Sequence, residues 1–314
     1  LMECKEDIIL VADNSTQFGT SSVDLISDQT PPTAPVTGDL TVSGGNEYPG
    51  YWNDTNTSLV VSIPLDADNT LVDGTIQLEA DLNSASSFAV IGDDSTISSV
   101  SANHDITLSA TDLTNYGAGD GDVITMRAIV TDVAGNETTG TIGLNNLTVD
   151  YTFPGDFTVG LVTSVDNSVV AGYFNSTNTG AEVTVPLAAD ATLVGGQIQL
   201  RATVDAFAAE DILAPYVITT VEDVGMSVDR TDLEALTFYA EDRTITFDAI
   251  LTDVAGNATV GSFSLDELII DQTTPTVFTI DTNIPDGGTI REGYWNASNT
   301  DVEITVPIDG TDLT

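Results

Sequence analysis

The stretch Thr252-Asp-Val-Ala-Gly-Asn257 is followed fourteen residues later by Asp271-Gln-Thr-Thr-Pro275. The same arrangement occurs earlier, at Thr131-Asp-Val-Ala-Gly-Asn136 with Asp150-Tyr-Thr-Phe-Pro154. Gly and Asn are the residue types that accept positive φ in a tight turn between two strands. Each copy therefore predicts a hairpin turn, a last strand and a hinge that carries a carboxylate.

A second marker gives the period of the repeat. Gly50-Tyr-Trp-Asn53, Gly172-Tyr-Phe-Asn175 and Gly293-Tyr-Trp-Asn296 lie 122 and 121 residues apart. A fixed period of this length indicates an array of similar domains. The predicted domains are the last strands of a preceding repeat, a complete unit 1, a complete unit 2, and the first strands of a further repeat, at residues 1–27, 28–149, 150–270 and 271–314.

The apolar residues alternate with period two, which predicts β-strands throughout. Turn residues separate the strands, and only residues 231–236 suggest a short helical turn. About seven short strands in a unit of this size are typical of a two-sheet Greek-key sandwich. The predicted fold class is thus all-β, with tandem Ig-like sandwiches arranged like beads on a string. The predicted strands are residues 59–63, 75–80, 106–108, 123–130 and 141–144 in unit 1, and 183–186, 197–202, 217–220, 244–251 and 262–265 in unit 2.

The charge excludes several classes of partner. The 314 residues include six basic and forty-nine acidic side chains, giving a formal charge of −43. Nucleic-acid binding needs clustered Lys and Arg, so nucleic acid is excluded as a partner. Docking on an anionic membrane is disfavoured for the same reason, and no apolar run reaches the length of a membrane span. Cys4 is the sole cysteine, which fits either a reducing compartment or a bacterial-type exported protein that does without disulfides. The chain opens at Leu1 with no visible signal peptide and is interpreted as an excerpt from a longer chain.

The topology of the sandwich predicts where acidic side chains meet. With strands labelled A to G, the B–C and F–G loops lie at the end where strand A enters, beside the hinge. Asp, Asn and carbonyl oxygens in flexible loops are what calcium accepts, so we expect calcium at the interdomain joints. The candidate ligands are Asp28, Asp66, Asp68, Asp132 and Asn136 in unit 1, Asp150, Asp190, Asp253 and Asn257 in unit 2, and Asp271 and Asp309 in the terminal segment. From the preceding domain, the E–F loop with Asp112, Asp120 and Asp122 is expected at the same joint.

Two alternatives to calcium stay open. Each aspartate could instead cap a turn through its own backbone. The bulk acidity, of which thirty-six residues are aspartate, could simply keep the protein soluble in a saline environment.

The run Val-Thr-Asp-Val-Ala-Gly-Asn-Glu-Thr at residues 130–138, followed by Val149-Asp and a proline, resembles the Ig-like repeats of large bacterial surface adhesins and biofilm proteins. The resemblance covers nearly the whole chain. It implies that the sandwiches form a long extender, that calcium rigidifies the linkers, and that Asp132, Asp150, Asp253 and Asp271 are among the ligands. Tyr151 and Phe153 depart from the usual hinge residues, so the resemblance does not imply that all joints are equivalent.

Catalytic chemistry has little support in the sequence. His104 is the only histidine and lies in a polar stretch, interpreted as a solvated loop, and no Gly-x-Ser-x-Gly elbow is present. The chain is therefore predicted to be a non-catalytic extender of an extracellular, cell-surface protein, with neighbouring Ig-like repeats as its partners.

Two other functions are kept as hypotheses. One is a subunit of an extracellular filament, sheath or surface layer, assembled by strand sharing between chains. The other is a module that binds surface glycans through Trp52 and Trp295, although packing over the end of the sandwich is the favoured interpretation of these aromatic residues.

Overall fold

The computed structural model describes residues 27–166, 168–280 and 282–307. The predicted segment 1–27, apart from its last residue, and the candidate ligand Asp309 lie outside these ranges.

Unit 1 is a sandwich of two β-sheets. Alternate side chains of β3, β4 and β8 are buried, which follows from the period-two pattern of their sequences. The elements of unit 1 are β1 (Leu40–Ser43), β2 (Tyr51–Trp52), β3 (Ser58–Ile63), β4 (Thr75–Leu82), β5 (Ala89–Val90), β6 (Ser95–Thr96), β7 (His104–Ser109), α1 (Ala110–Tyr116), β8 (Val123–Thr131), β9 (Glu137–Thr139) and β10 (Leu147–Val149). One sheet has the order β1-β3-β7, and the other has the order β2-β10-β8-β4-β5, with β6 added to β4 and β9 added to β8.

Unit 2 repeats this arrangement element by element. Its sheets have the orders β11-β13-β17 and β12-β20-β18-β14-β15, with β16 on β14 and β19 on β18. The elements are β11 (Val162–Val165), β12 (Tyr173–Asn175), β13 (Gly180–Val185), β14 (Gln197–Val204), β15 (Glu210–Asp211), β16 (Tyr216–Val217), β17 (Val224–Asp229), α2 (Arg230–Glu234), β18 (Thr244–Thr252), β19 (Ala258–Val260) and β20 (Leu268–Asp271). A further hairpin, β21 (Thr282–Asp286) and β22 (Asp301–Thr305), follows.

Each sandwich encloses its own apolar core. One core is built from residues between Val42 and Val149, and the other from residues between Val159 and Ile270. Fully burying one large apolar side chain contributes about 1.5–3 kcal/mol, so cores of this size stabilise each sandwich without a disulfide. The protein is therefore all-β and consists of tandem Ig-like Greek-key sandwiches, as the sequence predicted.

The strands predicted at residues 141–144 and 262–265 are wrong. Only Thr141 and Ser262 form isolated bridges there, and Leu144 and Leu265 are 99% and 91% exposed. The last strand instead divides into two pieces on either side of this segment, β9 and β10 in unit 1 and β19 and β20 in unit 2. The segment packs through its backbone, because a Cβ added to Gly143 would lie 2.2 Å from the carbonyl oxygen of Thr37.

Several other elements were missed or incompletely predicted, among them the short strands β1, β2, β5 and β6 of unit 1 and β11, β12 and β15 of unit 2. The helix α1 was missed, whereas its counterpart α2 coincides with the helical turn suggested at residues 231–236. The strand predicted at residues 217–220 includes only the end of β16, and the longer β17 that follows was missed.

Candidate interdomain joint

The Asp-Val-Ala-Gly-Asn turn is held together by its own aspartate. In unit 2, Asp253 Oδ1 accepts hydrogen bonds from the backbone amides of Ala255 and Asn257, both at 2.9 Å. Asp253 Oδ2 accepts from Asn257 Nδ2 at 3.0 Å. Gly256 has φ of +93°, the left-handed conformation predicted for the turn. The carboxylate of this motif thus organises the turn around itself.

Unit 1 has the same turn with the same bonds. Asp132 Oδ1 accepts from the amides of Ala134 and Asn136 at 2.9 and 2.8 Å, and Asp132 Oδ2 accepts from Asn136 Nδ2 at 2.8 Å. These bonds to the charged form hold the pKa of Asp132 below its usual value, although burial, the largest single influence, acts in the opposite direction.

The turn also reaches the hinge of its own unit. Asn257 Nδ2 donates to the carbonyl oxygen of Asp150 at 3.1 Å, and Asn136 Nδ2 donates to that of Asp28 at 3.3 Å. The F–G turn and the hinge therefore meet in both units, at the end of the sandwich where the chain enters.

The B–C loop, which connects β13 to β14 in unit 2 and β3 to β4 in unit 1, lies at the same end. Asp190 accepts from the amide and hydroxyl of Thr192 at 2.9 and 2.7 Å and so caps a short 3₁₀ turn. Asp68 caps the matching turn of unit 1 through Thr70. In unit 2, Val254 in the F–G turn donates to the carbonyl oxygen of Thr192 at 2.9 Å, which ties the two loops together.

An acidic side chain from unit 1 crosses the joint to unit 2. Asp120 accepts from the amide of Tyr151 at 2.5 Å and from the hydroxyl of Thr152 at 2.7 Å. The hydrogen bond from the Tyr151 amide lowers the pKa of Asp120, with the Thr152 hydroxyl acting in the same direction. At the exit of unit 2, Glu241 takes this role and accepts from the amides of Gln272 and Thr273.

Two other acids expected from the same loop serve other purposes. Asp112 forms a capping box with Ser109 at the start of α1. Asp122 accepts from Asn83 Nδ2 at 2.7 Å and from the Gly119 amide at 2.8 Å. Of the three acids expected from this loop, the structure places Asp120 on the hinge.

Negative charge accumulates around Asp150. Burial raises the pKa of this carboxyl above its usual value, and the neighbouring charges of Asp253, Asp120 and Asp190 raise it further. Asp120 and Asp150 line a cleft of about 490 Å³ whose walls come from both units, with Tyr51 and Thr148 on one side and Thr192 and Val254 on the other.

The joint also contains an acceptor without a donor. Asn257 is 2% exposed, and its Oδ1 atom has no hydrogen-bond partner, while its Nδ2 atom is fully engaged with Asp150, Thr152 and Asp253. A buried amide oxygen without a partner is costly, so this atom is the one oxygen at the joint that most needs a cation or a donor.

The remaining candidate ligands do not complete a cage. Asp66 lies with Asp68 and Thr33 on a separate, small cavity of unit 1, and Asp271 lies in β20, beside Glu241. Across the described residues, no three His, Cys, Asp or Glu side chains are grouped so that they could hold a metal ion. The candidate metal-ligating atoms at the Asp150 joint are nevertheless all oxygens, which are the ligands that calcium prefers.

Two hinge features were not predicted from the sequence. Tyr151 packs against the core of unit 1, so the residue that departs from the usual hinge pattern anchors unit 1 to the linker. Arg230 donates to Gln272 Oε1 at 2.8 Å and to the Asn175 carbonyl oxygen at 2.7 Å, which fixes the linker after unit 2. The only signal for either was the variation between the two hinge sequences.

His104 was considered for catalysis, and Trp52 and Trp295 were considered for glycan binding. His104 begins β7, where its Nε2 atom lies 2.8 Å from Ser95 Oγ, and burial lowers its pKa, so it is not the solvated loop residue expected. Trp52 is 2% exposed and offers no face to a sugar, whereas Trp295 is 57% exposed. Among the described residues, no helix is long and apolar enough to cross a membrane.

Comparison with known proteins gives only a fold-level likeness. No family model matches the chain, and no curated protein sequence matches it. Among solved structures, the chain is similar to the FN1–FN3 domains of chicken CNTN1, with 10% identity and a TM-score of 0.38. That match covers 77% of this chain and 69% of the other.

Proposed function

We propose that this chain is a non-catalytic extender segment of a long, repetitive, extracellular surface or matrix protein of the bacterial adhesin type. The sandwiches act as spacers in this proposal, and calcium stiffens the joint between them. The observation that carries the proposal is the joint itself, where a turn, a hinge and a loop of the neighbouring unit converge on Asp150.

The physical reason for a cation is the local excess of negative charge. Burial disfavours ionisation of Asp150 and raises its pKa, and the charges of Asp253, Asp120 and Asp190 add to this effect. Repulsion between Asp120 of unit 1 and the three carboxylates of unit 2 opposes close approach of the units, and a divalent cation reverses the sign of that interaction. Asp150 and Asp190 would supply carboxylate oxygens, and Asn257 Oδ1 an amide oxygen, to the bound ion.

Calcium would neutralise negative charge and bridge the loops. Hydrogen bonds made by side chains already hold the hinge and the linker in place. Asn257 holds the hinge carbonyl of Asp150 against the turn, and Asp120 fixes the first two residues of the linker. The cation would therefore stabilise a geometry that hydrogen bonds already favour.

The direct test is a thermal melt of the whole chain in calcium and in excess chelator. We expect calcium to raise the melting temperature of the wild type, by an amount corresponding to about 2.7 kcal/mol when free calcium is about 100 times Kd. Asp150→Asn should lose most of this gain. Asp229→Asn is the matched control, because it removes one negative charge at the start of α2, where it forms no side-chain cap. An equal calcium response in both variants would contradict a site at Asp150.

A further inference from the structure

The loop at residues 46–56 of unit 1 forms direct hydrogen bonds with the turn at residues 253–257 of unit 2. Asn53 Nδ2 donates to the carbonyl oxygen of Ala255 at 2.6 Å, and Asn46 Nδ2 donates to that of Gly256 at 2.8 Å. Both asparagines precede the hinge by about a hundred residues, so the contact is made by folding and not by chain adjacency. The two repeated sequence markers, Gly-Tyr-Trp-Asn and Ala-Gly-Asn, thus meet across the joint.

The gripping side chain is held in one orientation. The second N–H of Asn53 Nδ2 donates to the Asn46 carbonyl oxygen at 2.7 Å, and Asn53 Oδ1 accepts from the amide and hydroxyl of Thr55 at 2.9 and 2.6 Å. Asn56 Oδ1 accepts from the backbone amide of Asn53 at 2.8 Å. Asn53 is 0% exposed, so it is preorganised and desolvated at the contact.

The ring of Tyr48 makes the contact selective for glycine. A Cβ added at Gly256 would lie 2.5 Å from Tyr48 Cδ2, 2.7 Å from Tyr48 Cε2 and 3.0 Å from Asn53 Nδ2. Such separations are far below van der Waals contact, so a larger residue at position 256 would force the ring of Tyr48, or the loop that carries it, to shift. Gly135, at the same place in the turn of unit 1 and with φ of +91°, has nothing within 4 Å of its Cβ position among the described residues.

The same loop recurs with a different contact surface. Asn175 and Asn178 in unit 2, and Asn296 and Asn299 in the terminal segment, repeat the bond between the second asparagine and the first. The side-chain amides of Asn175 and Asn296 donate to Ser168 and Thr289, which occupy the position of Asn46. The asparagine pair is thus a repeated frame, while the position of Tyr48 holds Val170 in unit 2 and Arg291 in the terminal segment.

We propose that this loop is a docking receptor whose partner is the Ala-Gly turn of another Ig-like unit, here residues 255–256, and that this contact sets the angle between units 1 and 2. Asn53 recognises the turn by donating to the carbonyl oxygen of Ala255, and the ring of Tyr48 leaves room only for glycine at position 256. The proposal deepens the proposed extender function, since a spacer needs joints of fixed angle. It requires no metal, because the protein's own donors and acceptors make the contact.

The test measures the distance between the two units in the full chain. Spin labels are placed at Ala102→Cys and Ala209→Cys, both at exposed positions, in a Cys4→Ser background. We expect Gly256→Ala to shift and broaden the distance distribution, while Gly135→Ala leaves it at the wild-type width. Both variants place alanine at nearly the same positive φ, so the comparison isolates the clash of residue 256 with the unit 1 loop, that is with Tyr48 and Asn53.

Three further variants separate docking from folding. In Tyr48→Ala with Gly256→Ala the obstructing ring is gone, and the distribution should narrow back toward the wild type. Asn53→Ala, which leaves the turn of unit 2 intact, should broaden the distribution, whereas Asn175→Ala should not. An unchanged distribution in both Gly256→Ala and Asn53→Ala would overturn the receptor.

Excess chelator distinguishes this proposal from the calcium proposal. We expect the difference between Gly256→Ala and Gly135→Ala to persist in chelator. If calcium has no effect on the wild type while that difference remains, the metal site fails and the docking receptor stands. If only calcium changes the distribution, the metal controls the joint and the receptor is overturned.

Discussion

At the scale of single residues, the same aspartate has different surroundings in the two units. Asp253 is 0% exposed and Asp132 is 3% exposed, but the tips of their turns differ more, since Ala255 is buried and Ala134 is exposed. The loop of unit 1 covers the turn of unit 2. Water can therefore replace a lost carboxylate in unit 1 more readily than in unit 2.

This difference predicts unequal costs for the same substitution. Asp253→Ala leaves the backbone amides of Ala255 and Asn257 without their acceptor, and each buried unsatisfied donor costs about 1–3 kcal/mol. We expect unit 2 to lose at least about 2 kcal/mol of unfolding free energy, and Asp132→Ala to cost unit 1 clearly less. Hydrogen exchange of the central strands β18 and β8 reports each unit separately. Equal losses in the two units would show that the neighbouring loop does not matter.

The raised pKa of Asp150 predicts a dependence on pH. The folded chain holds this proton to higher pH than the unfolded chain, so ionisation of Asp150 costs stability as pH rises through the window just above the ordinary aspartate value. In chelator, Asp150→Asn should remove that loss and be at least as stable as the wild type at neutral pH. Urea denaturation between pH 4 and pH 7 measures the difference. A variant that is less stable than the wild type in chelator would show that the hydrogen bond from the Thr152 amide to the Asp150 carboxylate, 3.0 Å long, outweighs burial and the neighbouring charges.

At the scale of elements, α1 and α2 differ at their starts. Ser109 and Asp112 form a reciprocal capping box at α1, whereas Asp229 makes no side-chain cap bond at α2. Losing an N-cap typically costs about 1 kcal/mol. We therefore expect Ser109→Ala to destabilise unit 1 by about that amount and Asp229→Ala to be close to neutral, as measured by urea denaturation followed by hydrogen exchange in β8 and β18. A large effect of Asp229→Ala would mean that α2 has a cap that its geometry does not show.

The strands and helices also show which parts of the fold could be predicted from the sequence. The long strands β4, β8, β14 and β18 were predicted because both their alternation and their length are unambiguous. The segment at residues 141–144 alternates equally well, but Gly140 and Gly143 bring its backbone against residues 35–37, which is a tertiary contact without a local signal. The helix α1 was missed because its box of Ser and Asp opens only two turns of helix in a Thr-rich stretch.

The candidate joint was predicted in part for a related reason. Topology places the turn, hinge and loop at one end, and this convergence is found in the contacts of Asn136 and Asn257 with the hinge carbonyls. Topology does not say which oxygens face outward. Several carboxylates accept hydrogen bonds from amides of their own turns, so turn capping accounts for at least part of their placement. The grip of Asn53 on Ala255 could not be foreseen, since it joins residues 202 positions apart.

At the scale of the whole molecule, the joints share one framework of turn, hinge and loop. The turn and the hinge recur in both units, the asparagine frame recurs three times, and the residues at the contacts vary between joints. Tyr151 and Asp120 fix the linker into unit 2, while Arg230 and Glu241 fix the linker that leaves it. The contacts that fix the linker are therefore different at each joint.

The central claim, that this chain is a spacer with calcium-stiffened joints, is tested most directly by small-angle X-ray scattering of the full chain in calcium and in excess chelator. We predict that chelator shortens the maximum dimension and broadens the range of particle shapes, and that added calcium restores both. Asp229→Asn should behave like the wild type, while Asp150→Asn should respond less to calcium. Identical scattering in calcium and in chelator would contradict the claim and would leave the hinge aspartates as turn-forming residues alone.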